Sequence, residues 1–104
     1  MTTLTAYLNS DNVITLDGLY DNVGLAYENT ATVNVTLTDI NGTEVSGETW
    51  PLLMNYVSAS NGKYRATLTD SLTLSEGTYT ATITADAGAG QYRTFVVTVD
   101  YIDG

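Results

Sequence analysis

Within residues 77–88, GTYTATITADAG, two kinds of side chain alternate for nine positions without a break. Tyr79, Ala81, Ile83 and Ala85 take one parity, and Thr78, Thr80, Thr82 and Thr84 take the other. Successive side chains on a strand point to opposite faces, so the stretch builds an apolar face backed by a threonine face. A period of two cannot be laid on a helix without scattering the apolar residues around it. The apolar face belongs to a core. The threonine face is assigned to solvent, where β-branched hydroxyl side chains favour strands without making the sheet sticky. The alternative is that it lies flat against another subunit.

The same period recurs along the chain. In ATVNVTLT, 31–38, Val33, Val35 and Leu37 oppose Thr32, Asn34, Thr36 and Thr38. DING, 39–42, reads as a turn with glycine in its last place. TWPLLMNYV, 49–57, is apolar on both parities, as a central strand covered on both sides would be, with Pro51 marking its start or an edge. SASNG, 58–62, ends in the Asn-Gly hairpin signal. KYRATLT, 63–69, turns Tyr64, Ala66 and Leu68 inward, and SLTL, 71–74, reads as a short strand or edge. QYRTFVVTV, from 91, places Phe95, Val97, Val99 and, beyond it, Tyr101 on one face. This makes six strands after residue 30, with at least one more before it in LTAYL or VITL. No window shows helical spacing, and nineteen threonines with eight tyrosines are a strand-former's composition. Short strands at regular spacing, separated by turn signals, mean an antiparallel sandwich or barrel.

A chain of 104 residues fits one domain. It can bury roughly 65% of its unfolded surface, enough for one modest core. With no cysteine and no histidine, disulfides are excluded, a zinc site is disfavoured and the usual hydrolytic triads lose their base. An enzyme and a cofactor are therefore not expected. Twelve acidic residues against Lys63, Arg65 and Arg93 give a net charge of −9. That disfavours nucleic acid, whose phosphates demand lysine and arginine, and an anionic membrane surface likewise. The opening MTTLTAYLNSDNV has neither a basic start nor a long apolar run, so no secretory signal is expected, and nothing later reaches membrane-spanning length. Other constellations reduce to local structure. DINGTEVSGE lacks the repeated aspartates of a calcium loop. GAGQYR joins two strands rather than opening a helix, as a phosphate loop would. Glu44 and Glu48 would serve a glycosidase only across a cleft.

LSEGTYTATITA, 74–85, resembles the corner between strands E and F of immunoglobulin-like domains. There a leucine ends one strand, a glycine opens the turn, and a tyrosine starts the next strand with its hydroxyl tied back to upstream backbone. The resemblance makes Tyr79 that structural tyrosine and gives Trp50 or Tyr56 the aromatic core position of strand C. The two positions of the antibody-type disulfide, near Val35 and at Ala81, are apolar here. A wider stretch, 31–88, is similar to small immunoglobulin-like proteins encoded among the structural genes of tailed bacteriophages. It carries the strand, the aspartate-glycine turn, Trp-Pro, Tyr-Val, a Gly-x-Tyr strand and the glycine-tyrosine corner. The resemblance implies an all-β fold, an immunoglobulin-like antiparallel β-sandwich of about seven strands without a disulfide. It also implies a non-enzymatic virion protein, a capsid decoration, neck or tail module, made in the host cytoplasm. Its partners would be phage structural proteins or further copies of itself, with no catalytic residue, cofactor or metal.

On this reading residues 31–104 form the sandwich core, and residues 1–30 are an N-terminal strand or arm of the same domain. That segment holds apolar groups the strand pattern does not claim, and Leu4, Tyr7, Leu8, Leu19, Tyr20 and Tyr27, with Leu25 among them, are the candidate partner contacts. Tyrosine suits interfaces because its ring is apolar and its hydroxyl tolerates water. Two other functions compete: a bacterial surface adhesin module, and an acidic inhibitor that mimics DNA. The even scatter of the acids counts against the second.

Overall fold

The computed structural model describes residues 2–21, 26–27, 29–88 and 92–103, and for Thr2, Tyr20, Asp21 and Ala26 the backbone alone. The described residues are all β, with no helix. Their strands are β1 (Thr2–Tyr7), β2 (Asn12–Leu16), β3 (Tyr20–Asp21), β4 (Ala26–Tyr27), β5 (Thr32–Thr38), β6 (Leu52–Tyr56), β7 (Tyr64–Leu68), β8 (Gly77–Asp86) and β9 (Tyr92–Ile102). SLTL is not among them. The Leu72 N–H turns back to the Thr69 carbonyl at 3.3 Å and the Thr73 N–H goes to the Ser46 carbonyl at 2.9 Å. Its backbone bonds are thus spent on a turn and a neighbouring loop, while Leu72 is buried.

Seven strands form one sheet in the order β1-β9-β8-β5-β6-β7-β2, and β3 and β4 form a separate two-stranded pair. The sheet folds over at β6. Leu52–Met54 pair with Val33–Val35 of β5, whereas Asn55 and Tyr56 pair with Arg65 and Tyr64 of β7. One strand therefore passes from one layer to the other. The ends of the order, β1 and β2, are consecutive in the chain, so the sheet nearly closes into a barrel shape. Their turn is fixed by Asn12, whose side chain accepts the Tyr7 N–H (3.0 Å) and donates to the Tyr7 carbonyl (2.9 Å).

Two expectations change here. The sheet is mixed, not wholly antiparallel, because β1 runs parallel to β9, Thr2 opposite Val97 through Tyr7 opposite Ile102. A hairpin forces antiparallel pairing, but these strands come from opposite ends of the chain and no turn joins them. The second concerns 31–38. Val35 pairs with Ile83 of β8 within one layer, so it cannot be the cross-layer counterpart of Ala81. Trp50 precedes β6 and Tyr56 ends it, so neither lies in the strand that neighbours β8.

The core follows the alternation. Val33, Val35, Leu37, Ala81, Ile83, Ala85, Val99 and Tyr101 face inward from one layer, and Ile14, Tyr64, Ala66 and Leu68 from the other. In β6 the apolar run does not mean cover on both sides: Met54 is buried, but Leu53, on the outer face, is 54% exposed. Replacing Ile83 by Ala removes a fully buried side chain and is expected to cost about 2–5 kcal/mol. Thr82→Ala, on the other face of the same strand, should cost under about 1 kcal/mol. Denaturant unfolding of the two variants measures both, and equal losses would mean the faces are exchanged.

Candidate interaction surface

Strands β1, β9, β8, β5 and the first half of β6 make one layer, and the register fixes what stands on its outer face. Thr38, Thr80, Thr98 and Thr3 lie in one row across four strands. Thr36, Thr82 and Val96 form the next row, and Leu53, Asn34, Thr84 and Thr94 the one after. Thr78, Asp100 and Thr5 close one end, with the Thr78 hydroxyl donating to the Asp100 carboxylate at 3.1 Å. Thr32, Asp86 and Tyr92 close the other. More than half of the chain's threonines are on this face, and the charges that its described strands place there are Asp86 and Asp100, one toward each end, with Glu44 at the rim beside Thr38.

Five of the exposed large hydrophobic residues stand here too: Leu53, Tyr92, Val96 (47% exposed) and the paired Tyr7 and Ile102. Of these, only Tyr7 is among the sequence-derived candidates. Apolar residues at both parities in FVV, 95–97, are the signal that would have found Val96. This face offers hydroxyls, methyls and a few rings. Such groups can meet a flat surface through hydrogen bonds and van der Waals packing.

The N-terminal candidates divide. Leu19 is 5% exposed and belongs to the core, and Leu4 and Leu8 are half-buried against it. Leu19 is held by the hairpin at 58–62: its N–H donates to the Gly62 carbonyl at 2.9 Å, and the Gly62 N–H donates to the Asn29 side chain at 2.8 Å. A Cβ on Gly62 would lie 2.4 Å from the Leu19 carbonyl oxygen, so only glycine permits the approach. Tyr7 and Tyr27 are exposed. The backbone of Tyr20 pairs with Tyr27, while its side chain, like all of Leu25, lies outside the described residues.

The remaining sequence motifs fall into place as local structure. The Asp39 carboxylate accepts the N–H groups of Asn41 (2.8 Å) and Thr43 (3.0 Å), closing the DING turn. An open depression of about 240 Å³ lies between that turn and Glu76–Tyr79. Among the described residues no group of three acidic side chains is placed to hold a metal ion. Glu48 accepts the Thr49 N–H at 3.0 Å, and Glu44 sits in an exposed bridge opposite Thr38. Residues 89–91 of GAGQYR are outside the described residues. No family model matches the chain, and no curated protein is significantly similar to it in sequence.

Two tyrosines mark the corner before β8. The Tyr79 hydroxyl donates to the Ser75 carbonyl (3.0 Å) and accepts the Ser75 N–H (3.2 Å). Its ring meets that of Tyr101 edge-on, with centroids 5.4 Å apart. Tyr101 is buried, and its hydroxyl has no hydrogen-bond partner among the described residues. Burial first, and Tyr79 beside it second, push its ionisation from 10.0 up to about 12.

Two predictions test these assignments. Tyr101→Phe keeps the ring and removes an unpaired buried hydroxyl, so it should be neutral or stabilise by about 1 kcal/mol. Tyr79→Phe breaks two hydrogen bonds to exposed backbone that water can replace, and should cost about 1 kcal/mol. The stability that Tyr101 contributes by staying protonated is present below pH 10.0 and is lost as pH rises toward about 12. Thermal melts across that range should therefore fall less steeply for Tyr101→Phe than for the unaltered protein.

Deleting residues 2–7 tests the N-terminal segment. The truncation strips a paired strand from β9 and removes fully buried Ala6, so it should lower the melting temperature and promote aggregation at the bared edge. A shortened protein that melts unchanged would make β1 a dispensable arm.

Proposed function

We propose that the protein is a non-enzymatic immunoglobulin-like module that works by protein–protein contact, as a structural or accessory part of a tailed-bacteriophage virion. The observation that carries the contact reading is the outer face of the five-strand layer. It is broad, rich in threonine and nearly free of charge, on a chain whose net charge is −9. The fold reading is supported by the pairing scheme. In an immunoglobulin-like domain strands C, F and G pair in one sheet and B with E in the other. Here β5, β8 and β9 have the relation of C, F and G, and β2 and β7 that of B and E, with β6 passing between layers. The bond from Tyr79 to Ser75 has the form of the tyrosine corner. On this reading the disulfide positions are Ile14 and Ala81, both filled by core packing.

The virion assignment rests on the resemblance of residues 31–88 to phage structural modules. Mass spectrometry of purified particles from a phage carrying this gene tests it. The expected result is peptides of this chain at a fixed ratio to the major capsid or tail protein. Particles complete without it would overturn the assignment.

A further inference from the structure

The outer face of β1, β9, β8, β5 and β6 is also specific about what it can touch. We infer that it docks on the same face of a second copy of this chain, giving a two-fold dimer with the layers stacked face to face. This deepens the contact reading above and does not depend on the virion assignment.

Charge is the first argument. Two copies at −9 repel each other wherever their acids meet. Asp11, Asp17, Asp39, Glu48, Asp70 and Glu76 lie in connections between strands, and Glu44 stands at the rim of this face, bridged to Thr38 at the end of its row. Among the described residues on the outer face of its five strands only Asp86 and Asp100 are charged, toward opposite ends of the face, so its middle is neutral. A basic partner would be drawn to the acidic connections. The neutral middle of this face is an approach that a like-charged copy can make at low electrostatic cost.

Area and shape are the second. Five strands at about 4.8 Å, over about seven residues at 3.3 Å each, give roughly 500 Å² per copy, or about 1,000 Å² in all, the lower bound for a specific interface. A two-fold contact uses the same patch twice and so must be self-complementary. Identical sheets share one twist and pack aligned at about 30°, and small β-branched side chains let them approach to about 10 Å. Val96, exposed in a middle row beside Thr82, supplies the apolar centre, with Leu53 and Tyr92 toward one end and Tyr7 and Ile102 toward the other.

Sedimentation equilibrium of the full chain over a concentration series tests the dimer. The expected result is a monomer–dimer equilibrium that tightens as sodium chloride is raised, since salt screens the repulsion between like-charged copies. Val96→Glu and Thr82→Glu each put two like charges face to face, and should weaken the dimer at least about tenfold while the circular dichroism spectrum stays that of the unaltered protein. Val13→Glu, on the exposed face of β2, should leave association unchanged. A protein monomeric at every concentration and salt overturns the inference, as does a dimer weakened by Val13→Glu but not by Val96→Glu. Absence from phage particles would remove the virion assignment and leave the dimer standing.

Discussion

Strand β8 holds the fold together, because it is hydrogen-bonded along nearly its whole length to β5 on one side and β9 on the other. With a side-chain period of two, slipping either neighbour by one residue would put threonines into the core and Val33, Val35, Leu37, Val97 and Val99 into water. Both registers are therefore fixed by the same alternation. The sorting has a consequence on the far side: once Ala81, Ile83 and Ala85 are inside, Thr80, Thr82 and Thr84 stand on the outer face, aligned with the threonines of β5 and β9. The core and the outer surface are two outcomes of one periodicity.

What β8 does not determine is how the layer folds over, and that falls to β6 and the loops around it. The Trp50 indole N–H donates to the Val45 carbonyl at 2.7 Å, pinning the connection before β6. Gly47 passes so close to the neighbouring loop that a Cβ there would sit 2.4 Å from the Ser71 carbonyl oxygen. Farther on, the Tyr56 and Tyr64 rings meet at 5.6 Å where β6 pairs with β7. Buried Leu72 and Val45 complete the seal. Closure by loop packing replaces the cross-link that a chain without cysteine cannot form.

The elements legible in the sequence are those whose burial is one-sided. Strands β5, β7, β8 and β9 each alternate because one face is dry, and the hydrophobic pattern reports it directly. The misreadings share one cause. SLTL has strand-like residues, yet a leucine buried from a loop leaves the same local trace as one buried from a strand. Leu19 stood out as surplus because no period claimed it, whereas its burial depends on Gly62, far away in the chain. The parallel partner of β1 and the place of 31–38 beside β8 are long-range pairings, and alternation says which face is inward without saying which strand is next. The outer face was visible in part: its threonines belong to the pattern, but Leu53, Val96 and Tyr92 gather only when the register is known.

Several of the acids stand in turns. A carboxylate has no place on the inner face of any strand, and on the outer face it would meet neighbours across the ladder, where like charges directly opposite are unfavourable. Turns have the opposite demand, because their backbone N–H groups need acceptors. Here Asp11 accepts the Asp70 N–H (2.9 Å), Asp39 accepts those of Asn41 and Thr43, and Asp86 accepts that of Gly88 (3.0 Å). These three acids are placed by turn chemistry. The ladder keeps the middle of the sheet face neutral while the turns around it turn acidic. On the proposed docking mode, a second copy would meet hydroxyls and methyls in register, and the surrounding charge would narrow the set of other surfaces that can reach them.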